Sequence, residues 1–115
     1  MEFWSWLIYI PYWSWNAKEL FAAAKSGDVS VVQSAIQLGV DINGQNNWGD
    51  TPLYIASLEG HSSIVEMLVN ADLDVNIVNN YGNTPLYIAS LEGHSSIVEM
   101  LVNADSDVNI VNNYG

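Results

Sequence analysis

The chain has 115 residues, half of them apolar and only 13% charged, with 13 acids against two lysines for a net charge of −11, and no cysteine. That balance repels phosphate backbones and argues against nucleic acid as a partner, while the missing thiols remove disulfides, thiolate metal sites and cysteine nucleophiles. The length sets one domain, no stretch reaches the roughly 18 apolar residues of a membrane-spanning helix, and the start, with Glu2 and no basic residue before Lys18, lacks the positive region of a secretory signal.

Residues 1–16, MEFWSWLIYIPYWSWN, form an arm unlike anything downstream. It carries seven aromatics, Phe3, Trp4, Trp6, Tyr9, Tyr12, Trp13 and Trp15. Pro11 breaks any helix through it and pushes Ile10 towards extended geometry. Four readings stay open: an arm packed on another protein or another copy of the chain, a segment seated in a membrane interface, where Trp and Tyr are favoured, a cover for the first helices, or a segment foreign to the fold.

Asn16 with Glu19 has capping-box spacing, and residues 17–25 follow as a helix of strong helix formers stopped by Gly27. Val29 to Leu38 is a second helix, with Val31, Val32, Ala35 and Ile36 on one stripe and Gly39 as a left-handed cap. A turn-rich run closes this unit at residues 44–49.

Thr51 to Gly82 is then nearly repeated from Thr84 to Gly115 at an offset of 33 residues, with Leu73 against Ser106 as the single difference. Such a period belongs to stacked repeats, because one unit cannot bury its apolar face alone. In each, Thr caps a helix that Pro opens. Leu53 to Glu59 makes about two turns, ending at Gly60. Ser63 with Glu66 reads as a second capping box, and Ile64, Val65, Leu68 and Val69 as the core stripe of the second helix. Asp72 stands where Gly39 stood, in a position that favours left-handed geometry. An Asn-rich turn closes the unit. The first segment aligns without a gap: Leu20 on Leu53, Gly27 on Gly60, Asp41 on Asp74, Asn43 on Asn76 and Gly49 on Gly82.

TPLYIASLEGHSSIVEMLVNADLDVN resembles the ankyrin repeat, through Thr51, Pro52, Leu53, Ala56, Gly60, His61, Ile64, Val65, Leu68, Asp74, Val75, Asn76 and the residues 33 later. The first segment is similar in Leu20, Gly27, Val32, Gly39, Asp41 and Asn43. Tyr54 and Tyr87 replace the motif's histidine, and Asp72 and Asp105 its tail glycine. The resemblance implies an all-α, ankyrin-type solenoid of helix-turn-helix repeats with short hairpin or loop tips. The division expected is an arm (1–16), a degenerate cap-like repeat (17–50), and two full repeats (51–83 and 84–115), the last without a closing cap. It further implies a protein partner met at the tips and the first-helix face. By position these are Trp48 and Asp50 with Asn47, then Leu58 and Glu59, then Tyr81 and Asn83 with Asn80, then Leu91 and Glu92, then Tyr114 with Asn113. Trp48, Tyr81 and Tyr114 share one phase of three units, which suits either an aromatic binding row or packing of each ring on its neighbour's turn.

Helices at 85–91 and 96–103 are expected to present a face built for stacking. It would be met by more of a longer array, or by the arm or first repeat of another copy in a head-to-tail oligomer or filament. Catalysis is not expected. His61 and His94 are the two histidines, and His61-Ser62-Ser63 lacks triad geometry and an orienting acid. They read as structural residues at the second helix's entrance. No metal-ligand spacing is present, Asp72-Leu73-Asp74 lacks the Gly and Glu of a calcium loop, and no Gly-rich phosphate loop occurs. No cofactor is implied. The reading is therefore a protein-binding scaffold, with a self-assembling structural protein and a membrane-apposed adaptor held by residues 3–15 as alternatives. The compartment stays open, with the cytoplasm favoured.

Overall fold

A computed structural model describes residues 17–71 and 74–104. The aromatic arm with its Asn16 cap, the Asp72-Leu73 pair, and Asp105, Asn113 and Tyr114 lie outside the described residues. Six helices run in order among those described: α1 (Ala17–Ser26), α2 (Val29–Leu38), α3 (Pro52–Glu59), α4 (Ser62–Asn70), α5 (Pro85–Glu92) and α6 (Ser95–Asn103). No strand occurs among them, so the tips at 44–50 and 77–83 are loops.

The helix starts follow from local chemistry. Thr51 Oγ1 accepts from Tyr54 N at 3.1 Å and Thr84 Oγ1 from Tyr87 N at 3.0 Å, and Pro52 and Pro85 open the helices where a missing N–H costs nothing. Asp28 caps α2 by accepting from Val31 N. Gly39 closes α2 with φ 77°. The Ser63–Glu66 capping box does not form. α4 begins one residue earlier, at Ser62, with His61 at the cap position and no side-chain cap bond; α6 repeats this with His94. The reason is that the imidazole is turned away from its own helix and towards the preceding repeat. At the far end α4 closes at Ala71 in right-handed geometry, φ −88°.

Each unit folds as an antiparallel helix pair, and the units stack in two layers. α1, α3 and α5 pack in sequence as one layer and α2, α4 and α6 as the other. One apolar core runs through the stack, with Leu20, Ala24, Val32, Leu53, Ile64, Val65, Leu68, Ile97 and Leu101 all buried. Each buried Leu, Ile or Val side chain contributes about 1.5–3 kcal/mol. Leu86 and Val98 are half-buried and pack against the same core. The short α3 and α5 are apolar on most sides, which matches a layer flanked by helices on two sides.

Candidate functional site

The tips are shaped by asparagine side chains. Asn46 Oδ1 accepts from Trp48 N at 2.9 Å and Asp50 N at 3.0 Å, and one repeat on Asn79 Oδ1 accepts from Tyr81 N and Asn83 N at the same distances. An Asn oxygen has two lone pairs, so one side chain satisfies two backbone donors and closes the loop. The two tips are then laced together. Asn80 N donates to Trp48 O, Asn80 Nδ2 to Asn47 O, Gln45 Nε2 to Val78 O, and Asn79 Nδ2 to Asp50 Oδ1, all within 2.9–3.0 Å. These bonds hold the loop backbone rigid and leave the Trp48 and Tyr81 rings outward, 60% and 46% exposed.

A groove of about 300 Å³ lies between this tip and the first-helix layer, lined by Phe21, Ala22, Lys25, Asn46, Trp48, Asp50, Ile55, Leu58 and Glu59. Its floor is apolar. Its rim carries Lys25, Asp50 and Glu59, in a chain of net charge −11. Of the residues expected at a partner site, Trp48, Asp50, Leu58 and Glu59 come together here. Tyr81 stands on the next tip. Asn83 is half-buried in the tip lacing, and Asp50, through its bond from Asn79, is also committed to that lacing. Leu91 and Glu92 are exposed on α5, and Tyr114 falls outside the described residues. Phe21, Ala22, Lys25, Asn46 and Ile55 were not among the expected contacts. The signal for them was available in the repeat register, since Phe21 aligns with Tyr54, and Ala22 with Ile55, on the face carried by Leu58.

Tyr54 is buried where the family motif has histidine, 6% exposed. Burial pushes its phenol above the usual 10.0, partly offset by hydrogen bonding to Asn83 and Asn79. These hydrogen bonds tie α3 to the tip at 77–83.

The histidines that are present fasten one repeat to the next. His61 Nε2 lies 2.9 Å from Lys25 O, and His94 Nε2 lies 3.1 Å from Leu58 O, each spanning 36 residues. A carbonyl can only accept, so Nε2 carries the hydrogen in both. Each ring sits against a glycine of the preceding repeat. A Cβ at Gly27 would meet His61 Cε1 at 2.9 Å, and one at Gly60 would meet His94 Cε1 at 2.7 Å.

These features define a stacked-helix scaffold that presents a fixed loop edge and a groove. The sequence profile described as "Ankyrin repeats (3 copies)" matches residues 20–112, and the chain belongs to the ankyrin-repeat family. Ankyrin repeats are generally protein–protein interaction modules and typically not enzymes. No curated protein sequence matches the chain. Among the described residues no helix is long and apolar enough to cross a membrane.

Proposed function

We propose that the chain is a non-catalytic module that binds a protein segment in the groove between the 44–50 tip and α1–α3. The observation that carries this reading is the groove itself, where the exposed Trp48 ring overhangs a floor of Phe21, Ile55 and Leu58. Aromatic rings on rigid supports make binding anchors at small entropic cost. The fitting segment carries an apolar side chain for the floor, flanked by basic residues for Glu59 and the acidic field of the chain. Tyr81, Asn83, Leu91 and Glu92 extend the same edge for a longer ligand. Head-to-tail assembly and membrane apposition are the competing readings, and both draw on the arm at residues 3–15.

Selection of peptides on the immobilised chain tests this. Enriched sequences should pair an apolar anchor with Lys or Arg, and Leu58→Arg or Trp48→Ala should weaken them about tenfold or more. Ligands indifferent to both substitutions would sink the reading.

A further inference from the structure

The repeat register singles out one peptide bond. Asn43, Asn76 and Asn109 share a position, and the next residue is Ile77 or Ile110 in the full repeats but Gly44 in the first. Asn43-Gly44 is the one Asn-Gly pair in the chain. Asn43 is exposed, in a turn that follows α2. Its backbone N–H donates to Asp41 Oδ1 at 2.9 Å, as that of Asn76 does to Asp74 Oδ1. Among the described residues no hydrogen bond engages the Asn43 side-chain amide or the Gly44 N–H. Asn46 and Asn79, by contrast, each have the side-chain oxygen occupied by two backbone amides.

An asparagine side chain loses its amide when the next residue's backbone nitrogen reaches its carbonyl carbon. Here Gly44 N gives up its proton to solvent and bonds to Asn43 Cγ, the –NH2 group leaves as ammonia, and a succinimide ring closes. Water then opens the ring. Cleavage at Cγ restores an ordinary backbone with Asp at residue 43. Cleavage at the main-chain carbonyl carbon leaves the chain running through Cβ and Cγ, an isoaspartate with its α-carboxylate free. Water enters and ammonia departs, with no oxidant or reductant. Glycine permits the approach because no Cβ crowds its nitrogen, whereas a β-branched residue such as Ile77 obstructs it. With both groups unengaged, no hydrogen bond has to break first.

We propose that Asn43-Gly44 is a self-acting deamidation site whose isoaspartate product slackens the 44–50 tip. Either product adds a carboxylate close to Asp41, in a chain of net charge −11. The isoaspartate also inserts an extra backbone atom just ahead of Gln45. That side chain is the clamp of the tip: its Nε2 donates to Gly49 O at 2.8 Å within the loop and to Val78 O at 3.0 Å on the next one. Displacing Gln45 loosens both bonds at once, and with them the lacing of Trp48 to Asn80. The change is irreversible under the protein's own chemistry. It does not depend on what the groove binds.

Incubation of the folded chain at neutral pH, followed by peptide mass spectrometry, tests the site. Residue 43 should gain the mass of –NH2 replaced by –OH about tenfold or more faster than residue 76. Gly44→Ile installs the residue that the next repeat carries there, at a glycine without left-handed φ, and should bring Asn43 down to the rate of Asn76. Amide exchange tests the consequence. In the isoaspartate form the amides of Trp48, Asp50 and Asn80 should exchange about threefold or more faster than in the parent. Freshly prepared Asn43→Asp, which adds the charge on an ordinary backbone, should leave them within about twofold. Loss at Asn43 no faster than at Asn76 overturns the proposal. So does unchanged exchange in the isoaspartate form, or an equal acceleration in Asn43→Asp.

Discussion

Residues 52–70 and 85–103 carry the same amino acids in the same order, fold into the same two helices, and end up in different environments. On α3 and α4, Leu53, Val65 and Ser57 are shut in; on α5 and α6, Leu86 and Val98 are half-buried and Ser90 is exposed. Composition, propensity and capping cancel in this comparison. What remains is the covering neighbour, and the difference isolates its contribution. In a stack of this kind stability is close to a sum of unit terms and nearest-neighbour terms, so paired substitutions at matched positions read the second term by subtraction.

The largest expected contrast is in the leucines. Leu53→Ala removes a side chain 1% exposed and leaves a cavity sealed on both sides, at a cost of about 2–5 kcal/mol. Leu86→Ala opens a site that is half-buried and can be reached by solvent, so the cost should fall to about half that. Urea unfolding of the two variants measures it. Equal costs would mean that the covering repeat contributes little to the core.

How far the sequence carries the fold and the site can be judged at the same pair of units. Thr51-Pro52 announced the start of α3 because the cap acts within three residues, and Gly60 its end for the same reason. Ser63-Glu66 misled because the helix begins one residue before Ser63, which places Ser63 inside the first turn and not at the cap. His61 leaves its own helix for Lys25 O, 36 residues back. The histidines were recognisable as structural, while their acceptors were not, since no local pattern encodes contact across a repeat. The groove was half legible. Trp48 and Leu58 follow from the register, which also offers Phe21, Lys25 and Ile55 on the first-helix face, whereas their meeting with Trp48 in one groove depends on the stacking of α3 on α1. The double use of Asn46 and Asn79 in the tips was likewise hidden, because an asparagine-rich turn does not say which oxygen takes which amide.

A smaller contrast is expected at the glycines. Gly60 and Gly93 are both left-handed, φ 82° and 77°, so alanine at either costs about 1–2 kcal/mol of backbone strain. Only at Gly60 does the new Cβ also run into the His94 ring. Gly60→Ala should therefore cost about 1–2 kcal/mol more than Gly93→Ala, through lost junction contacts and the lost bond to Leu58 O. With His94→Ala as the background the excess should vanish, because the ring that Cβ displaces is gone. An excess that survives without the imidazole would move the strain to the backbone and break the account of the junction.

The smallest contrast has the opposite sign. Ser57 Oγ is buried with no hydrogen-bond partner, while Ser90 Oγ donates to Leu86 O at 2.8 Å on the open face. Alanine at either position gains the same few tenths of a kcal/mol in helix propensity. At Ser57 it also removes a desolvated hydroxyl, against which stands the small void left behind, so the net gain should reach about 1 kcal/mol. At Ser90 the hydroxyl has water as an alternative partner, and the change should stay within about 0.5 kcal/mol. Thermal unfolding of the two variants against the parent decides the matter. An equal gain at both sites would mean that the Ser57 hydroxyl finds a partner in solution, and that covering a repeat is less dry an event than the burial of α3 implies.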